Sequence, residues 1–177
     1  MTNLKNYLEA KVNSRGNKNL NYLSSFFSET ELAILSNKTI SIVGTNGKSS
    51  TANNIAMLLK GLDKSYIAFT SPHLFDYKER MTAHKDLNFN EYIQYLENFE
   101  LKNNINLGYF ESTFLIAAKA FLHNDMDYFI CEAGIGGKYD TTSVIQSKTV
   151  VLTSIGLDHT DISVSYTHLR AHETPRY

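Results

Sequence analysis

One segment constrains the fold of this chain more than any other: a short apolar run leads directly into a glycine-rich loop that ends in lysine and serines. The segment, Ile40-Ser-Ile-Val-Gly44-Thr45-Asn46-Gly47-Lys48-Ser49-Ser50, predicts a strand, a tight turn and the start of a helix. Glycines let backbone N–H groups point into such a turn, and the helix N-terminus adds partial positive charge. We therefore predict a cradle for nucleotide phosphates, in which Lys48 contacts the terminal phosphates and a following hydroxyl can bind Mg²⁺.

The spacing of this loop is shorter than that of the usual phosphate-binding motif, G-x-x-x-x-G-K-[ST]. Ile42 stands where that motif has its first glycine, so only G-x-x-G-K-S is present, beginning at Gly44. An ordinary turn between a strand and a helix is the alternative interpretation. The position of the loop between an apolar strand and a helix favours phosphate binding.

Predicted strands and helices alternate along the chain. Strands are predicted at 39–43, 65–69, 127–131 and 149–154, and helices within 2–36, over about 48–60, from 89 to about 100 and over 111–122. Apolar strands separated by helices are typical of a parallel sheet that is buried on both faces, with helices outside, which places the chain in the α/β class. Ser28 and Glu31 predict a capping box, and a polar loop is predicted between His73 and Phe89.

Polar residues follow the end of each predicted strand. They are Gly44–Ser50, Thr70–His73, Glu132–Asp140 and Gly156–His159. Ligands of parallel sheets bind beyond the carboxyl ends of the strands, so we expect these groups to converge. A carboxylate at the end of an apolar strand, as in Glu132, is costly to bury unless it is paired or binds a metal. We predict that Glu132 binds Mg²⁺ opposite the phosphate loop, with acceptance of backbone N–H bonds as the alternative.

Composition and charge narrow the class of protein. The chain has 177 residues, enough for one domain with a real core, and a net charge of −1 offers no surface for nucleic acid or an anionic membrane. The single Cys131 cannot form an internal disulfide, the first six residues have no apolar core of signal-peptide type, and no apolar run approaches the span of a bilayer. We expect a cytoplasmic, monomeric protein with small-molecule partners.

Six motifs occur in a fixed order and together resemble a known family. They are Gly44-Thr-Asn-Gly-Lys48, Thr70-Ser-Pro-His-Leu74, Glu79-Arg-Met81, Phe110-Glu-Ser-Thr113, Glu132-Ala-Gly-Ile-Gly-Gly-Lys-Tyr-Asp140 and Ser154-Ile-Gly-Leu-Asp-His-Thr160. This series resembles the N-terminal ATPase domain of folylpolyglutamate synthases and bifunctional dihydrofolate synthases, which are relatives of the Mur peptide ligases. The resemblance covers residues 1–162.

The resemblance implies a P-loop ligase that uses ATP and Mg²⁺ to join L-glutamate to the carboxylate of a folate or dihydropteroate, through an acyl phosphate. By motif, the loop Gly44–Ser50 would hold ATP, and Lys48, Glu132 and His159 would be catalytic. The implied Mg²⁺ ligands are Ser71, Glu132 and His159. The implied pterin-side residues are Phe110, Glu111 and Asp140.

The sequence departs from this family at three points. The family usually has glycine where Ser49 stands, which leaves open whether Ser49 or Ser50 lies nearest the metal. The family has a lysine after the Asp-His-Thr motif that supports a second metal, and no lysine follows His159 here. We also expect the family's second, Rossmann-like domain to be missing, so that this chain alone is inactive. A Mur-type ligase acting on a nucleotide-linked cell-wall precursor and a non-catalytic nucleotide-binding fragment are the alternatives.

The C-terminal residues differ in character from the rest. His168 and His172 have the spacing of two metal ligands on one helix face, but residues 163–177 lack apolar periodicity and the glutamate of a zinc motif. We predict no zinc site here and an aberrant, mobile tail that is not native to the family.

Overall fold

The computed structural model describes residues 3–12, 20–134 and 140–156. The helices in these ranges are α1 (Leu4–Glu9), α2 (Leu20–Ser24), α3 (Glu29–Lys38), α4 (Lys48–Gly61), α5 (Ile93–Asn103) and α6 (Tyr109–His123). The strands are β1 (Thr39–Val43), β2 (Tyr66–Phe69), β3 (Met81–Ala83), β4 (Tyr128–Glu132) and β5 (Thr149–Leu152). Short 3-10 helices span Tyr77–Arg80, Phe89–Tyr92 and Thr141–Val144.

The strands form one mixed sheet in the order β3-β2-β4-β1-β5. β4 is parallel to both β1 and β2, β5 is parallel to β1, and only β3 is antiparallel to its neighbour β2. Ile42 of β1 stands opposite Glu132 of β4, and Phe69 of β2 stands opposite Cys131. The carboxyl ends of the three central strands therefore meet at one edge of the sheet, as the alternation of elements predicted.

Alternate side chains of the central strands face two separate helix layers, because successive residues of a strand point to opposite faces. On one face Ile42, Ala68 and Ile130 pack with Ala52 and Leu59 of α4. On the other face the buried residues Ile67, Phe69, Phe129 and Cys131 belong to the larger core, which is built around α6. The prediction of a sheet flanked by helices is confirmed.

Helix α6 is the centre of the larger core. All its residues from Glu111 to Phe121 are buried, as expected for a helix that is apolar nearly all round. Helices α1, α3 and α5 each contact α6. At the start of α3 the Ser28 hydroxyl accepts from the Glu31 N–H while the Glu31 carboxylate accepts from the Ser28 N–H, so the predicted capping box is confirmed.

The predicted polar loop between His73 and Phe89 is wrong for part of its length. It contains the 3-10 helix Tyr77–Arg80 and the strand β3, whose Met81 and Ala83 pair with Phe69 and Ile67. Three residues are too few to show an alternating pattern, so pairing with β2 decides the conformation of this segment rather than local propensity.

The expectation that the fourth predicted strand is buried on both faces is also wrong. β5 ends at Leu152, and Val150 and Leu152 are 36% and 39% exposed. β5 is the edge strand beside β1, beyond the strands that the helix layers cover in the described part of the chain. Apolar sequence alone does not separate an edge strand from a central one.

Two further predictions fall on other parts of the chain. The glycine-rich turn 135–139 and residues 157–177, which include His159 and the predicted tail, lie outside the described residues. None of the helices that the structure does describe is long and apolar enough to cross a membrane.

Candidate active site

The loop between β1 and α4 depends on two glycines with positive φ. Gly44 has φ +140°, and a Cβ at this position would lie 2.3 Å from Thr153 Oγ1 and 2.8 Å from the Ser154 carbonyl oxygen. Gly47, just before α4, has φ +81°, which is the left-handed region. Only glycine adopts these conformations without strain, and at Gly44 only glycine fits.

The end of β5 holds this loop in place. The Thr45 N–H donates to the Ser154 carbonyl at 2.8 Å, and the Asn46 N–H donates to Ser154 Oγ at 2.9 Å. Thr45 Oγ1 also accepts from the Gly156 N–H at 2.9 Å. The end of the fourth predicted strand therefore meets the loop, as far as Gly156, as the sequence predicted.

Lys48 is the first residue of α4, and its ammonium folds back over the loop. Nζ donates to the Gly44 carbonyl at 3.0 Å and to the Thr45 carbonyl at 3.1 Å. Among the described residues it has no carboxylate partner within ion-pair distance. A cation that is held only by neutral carbonyls gains a stronger, charge-assisted bond when a phosphate replaces them.

Glu132 lies at the end of β4 and is only 2% exposed. Both its oxygens accept from Ser49 Oγ at 2.9 Å, and Oε2 accepts from the Ser71 N–H at 3.1 Å. Burial raises the pKa of Glu132, and the two hydrogen-bond donors and the charges of Lys48 and Arg80 oppose that rise. The ends of β1, β2 and β4 thus meet at one buried carboxylate, and the hydroxyl beside it belongs to Ser49.

The donor atoms at this point suit a hard cation. Glu132 contributes carboxylate oxygens, the Ser49 hydroxyl donates to them, and the backbone N–H of Ser71, a residue that itself carries a hydroxyl, donates to Oε2. Mg²⁺ prefers such oxygen ligands, whereas zinc prefers histidine and cysteine. The described residues contain no group of three or more His, Cys, Asp or Glu that could hold a metal. The described donors therefore fit Mg²⁺ better than zinc.

Three side chains form a stacked cluster beside the end of β2. Arg80 Nε donates to His73 Nδ1 at 2.8 Å, and the guanidinium carbon lies 5.0 Å from the centroid of the Tyr109 ring. The His73 and Tyr109 rings stack at 5.9 Å with an interplanar angle of 27°. Burial lowers the pKa of Arg80 below its usual value. This cluster joins the 71–80 segment to the start of α6.

The 71–80 segment is fixed by one carboxylate. Glu79 accepts from the backbone N–H groups of Leu74, Phe75 and Asp76 at 2.8–2.9 Å, and these bonds lower the pKa of Glu79. The segment begins with a cis Ser71-Pro72 peptide bond. The hydrogen bonds to the carboxylate of Glu79, a residue of the same segment, hold the backbone of residues 74–76 in place.

A cavity of about 850 Å³ connects the start of α4, at the end of the Gly44–Ser50 loop, to this cluster. Its walls come from α1, the start of α4, the 71–80 segment and the start of α6; the lining residues include Lys5, Leu8, Lys48, Arg80, Tyr109 and Phe110. Among the predicted pterin-side residues, Phe110 is the one that lines it.

Glu111 and Asp140 instead support the wall of the cavity. Glu111 is 4% exposed and accepts from Thr141 Oγ1 at 3.2 Å. Asp140 accepts from the Gly134 N–H at 3.1 Å and from the Thr142 N–H at 2.9 Å. A Cβ on Gly134 would lie 2.9 Å from both Asp140 Oδ2 and Phe110 Cζ, so the three groups are tightly packed.

Comparison with known proteins now identifies the family. The model of the Mur ligase middle domain matches residues 42–172, which include the Gly44–Ser50 loop and Glu132. The chain belongs to the Mur ligase family. Dihydrofolate synthase/folylpolyglutamate synthase from Buchnera aphidicola subsp. Schizaphis graminum is 37% identical over an alignment of 162 residues, and the match covers 87% of this chain and 37% of that protein.

Solved structures of the same family have a fold similar to that of this chain. Escherichia coli FolC in complex with DHPP and ADP has a TM-score of 0.75 at 30% identity, over 88% of this chain and 38% of that one. An FPGS–AMPPCP–folate complex has a TM-score of 0.73 at 26% identity, over 88% of this chain and 40% of that one. The chain thus spans less than half the length of the relatives it matches.

Within this Mur ligase fold, some cavity residues had no signal in the sequence. Tyr109 and the α1 residues Lys5 and Leu8 belong to no chemical motif. Arg80 stands in the motif Glu79-Arg-Met81, for which the resemblance implies no role, and a lone histidine such as His73 does not by itself indicate a site. Only tertiary contact among residues 73, 80 and 109 reveals the cluster.

Proposed function

We propose that this chain is the ATP-binding part of a ligase that joins L-glutamate to the carboxylate of a folate or dihydropteroate. One observation carries the proposal: a single cavity is bordered by Lys48 of the phosphate loop and by the aromatic residues Tyr109 and Phe110. Such a cavity can hold a planar aromatic acid next to a nucleotide. The relatives support this, since FolC was solved with DHPP and ADP and FPGS with AMPPCP and folate.

The loop Gly44–Ser50 would hold the triphosphate of ATP. Its backbone at the N-terminus of α4 supplies N–H donors and partial positive charge. Lys48 Nζ would exchange the carbonyls of Gly44 and Thr45 for phosphate oxygens, which are stronger acceptors.

Ser71, Glu132 and His159 would hold Mg²⁺, as the family resemblance implies. When bound, Mg²⁺ would neutralise charge on the phosphates of ATP. The Ser49 hydroxyl would keep the Glu132 carboxylate in place by donating to it. Residues 1–162 would thus form an ATPase domain.

The reaction would proceed in two steps. A carboxylate oxygen of the acceptor attacks the γ-phosphorus of ATP. The bond between that phosphorus and the oxygen that bridges it to the β-phosphate breaks, so that ADP departs and the acceptor becomes an acyl phosphate. The amine nitrogen of glutamate then attacks the acyl carbon, the C–N bond forms, phosphate leaves, and the amine loses a proton. Positioning and charge stabilisation supply most of the catalysis in phosphoryl transfer, and the walls of the cavity would keep water from the acyl phosphate.

A ligand panel tests this function. We expect the 177-residue chain, in the presence of Mg-AMPPCP, to bind pteroate or folate saturably in titration calorimetry and to ignore a UDP-linked cell-wall precursor. The reverse preference would identify a peptide ligase of the cell-wall type. Nucleotide binding without binding of either acceptor would indicate a nucleotide-binding module and contradict the proposal.

A further inference from the structure

The cavity contains a cationic group that the reaction above does not use. Arg80 ends the 3-10 helix Tyr77–Arg80 and borders the same cavity as Lys48 and Phe110. Its side chain is partly buried, and its charge opposes the rise that burial causes in the pKa of Glu132. Arg80 therefore lines the acceptor cavity, and its charge reaches Glu132.

Most N–H donors of the Arg80 guanidinium have no acceptor among the described residues. It carries five N–H donors, and among the described residues only Nε has an acceptor, His73 Nδ1. No carboxylate of the described chain lies within ion-pair distance of it. Burial of a cation without an anionic partner is costly, and burial already lowers the pKa of Arg80. An anionic ligand would offset that cost.

The cluster also fixes the orientation of the guanidinium. Tyr109 lies under its carbon atom at 5.0 Å from the ring centroid, and His73 holds Nε at 2.8 Å while stacking on Tyr109. The plane of the group is thus held from two sides, and the two terminal nitrogens are left for a ligand. A planar pair of nitrogens matches a carboxylate, which it binds through two parallel hydrogen bonds.

The position of Arg80 favours the acceptor over the nucleotide. The phosphates have their own donors in the loop Gly44–Ser50, where Lys48 stands. Arg80 instead shares the 71–80 segment and the aromatic side of the cavity with Tyr109 and Phe110. A ligand whose ring lies against these aromatic residues would present its acid group to the guanidinium.

We propose that Arg80 binds the carboxylate of the aromatic acid acceptor and that His73 and Tyr109 position its guanidinium for this contact. The inference rests on the proposed function, because it assumes that the cavity receives such an acid. Arg80 makes the contact to the carboxylate, and His73 is a positioning residue.

Two ligands that differ only at the acid group test the assignment. Titration calorimetry with pteroate and with its carboxamide, both in the presence of Mg-AMPPCP, gives a ratio of dissociation constants for each protein. We expect the parent to favour the carboxylate by about tenfold or more, the scale of a charge-assisted contact. Arg80→Gln should bring the ratio near one while leaving the carboxamide affinity unchanged.

Two further variants sharpen the test. Arg80→Lys keeps a positive charge but loses the planar pair of donors, so we expect an intermediate ratio; it also decides the question if Arg80→Gln fails to fold in a melting experiment. Lys78→Gln removes an exposed charge from the same 3-10 helix and should keep the ratio of the parent.

The possible results separate the two proposals. A parent that favours the carboxylate and variants of Arg80 that still favour it equally would overturn the role of Arg80 and leave the proposed function standing. A parent that binds both ligands with equal affinity would also overturn the role of Arg80. A parent that binds neither ligand would overturn both.

Discussion

Lys48 stabilises the loop between β1 and α4 through its own ammonium group. Its ammonium bridges the Gly44 and Thr45 carbonyls across the loop that Gly44 and Gly47 make possible. The same side chain therefore closes the loop and supplies the charge for a ligand. Its two carbonyl contacts are neutral, so replacement by phosphate is favourable.

Lys48→Ala should weaken binding of Mg-ATP by about 1.5–3 kcal/mol, the range for hydrogen bonds to charged groups. The fold should survive because Lys48 lies at the end of a loop and outside both cores. Titration calorimetry measures the affinity, and Lys60→Ala, an exposed lysine in the last turn of the same helix, is the control. Equal affinity of Lys48→Ala and the parent for Mg-ATP would rule out that this loop binds the phosphates.

Glu132→Gln should lose the Mg²⁺ dependence of nucleotide binding, because an amide keeps the shape of the side chain but not the charge that a hard cation needs. It should also change the pH dependence of stability. Because burial raises the pKa of Glu132 above its ordinary 4.5, the folded chain holds a proton that the unfolded chain has lost, and stability falls as pH rises through this window.

Urea unfolding across this pH range, without Mg²⁺, measures the second effect. The decline of unfolding free energy with rising pH should be shallower in Glu132→Gln than in the parent. Identical slopes, together with unchanged Mg²⁺ dependence, would mean that Glu132 is only a strand-end acceptor of hydrogen bonds.

Among the helices, α3 and α6 are joined by a largely buried ion pair. Lys119 of α6 is 8% exposed, is paired with Glu31 of α3, and lies 5.4 Å and 5.6 Å from the ring centroids of Tyr95 and Phe26. Burial alone would raise the pKa of Glu31, but the hydrogen bonds from Lys119 and the Ser28 N–H outweigh it and lower the pKa. The pair therefore stabilises the ionised carboxylate.

Glu31→Gln should destabilise the fold by about 2–4 kcal/mol at neutral pH, because it leaves the Lys119 ammonium largely buried without a counter-charge. Glutamine can still complete the capping box with Ser28, so the charge is what changes. Since the folded pKa of Glu31 is lowered, its contribution is present above the ordinary value of 4.5 and is lost as pH falls through the folded pKa.

Urea unfolding at neutral and acidic pH gives the difference between Glu31→Gln and the parent. It should shrink in acid, and Glu29→Ala, an exposed carboxylate in the same first turn, should show little effect at either pH. A difference that persists unchanged below the folded pKa would contradict the role of the charge.

The sequence predicted elements whose pattern is local and missed those that depend on distant partners. Helix α4 follows a glycine loop, and the capping box of α3 spans only Ser28 to Glu31. By contrast, β3 exists because Met81 pairs with Phe69. The burial of β5 depends on which strands the helices cover, and the sequence of β5 itself does not indicate this.

The same division applies to the candidate site. Gly44, Lys48, Ser71 and Glu132 were predicted, because each stands at the end of a strand or in the loop that follows it. The cluster around Arg80 was not, because His73, Arg80 and Tyr109 meet only after β2 and α6 have packed together.

The shape of the cavity depends on how α1 is attached to the rest of the chain. Glu100 of α5 accepts from Tyr7 OH at 2.9 Å, from Lys11 Nζ at 2.5 Å and from the Leu107 N–H at 2.6 Å. Burial and the nearby Glu100 charge raise the pKa of Tyr7, so its hydroxyl stays a donor. One carboxylate thus holds the α1 wall of the cavity opposite the 71–80 segment.

We propose that the Gly44–Ser50 loop and the cavity form one site for a nucleotide and an acid acceptor. A crystal structure of the chain with Mg-AMPPCP and pteroate tests this most directly. We expect the triphosphate on the loop Gly44–Ser50, with Lys48 Nζ moved from the loop carbonyls to phosphate oxygens, and the pteroate ring beside Tyr109 and Phe110. A nucleotide bound away from this loop, or pteroate bound outside the cavity, would contradict the claim.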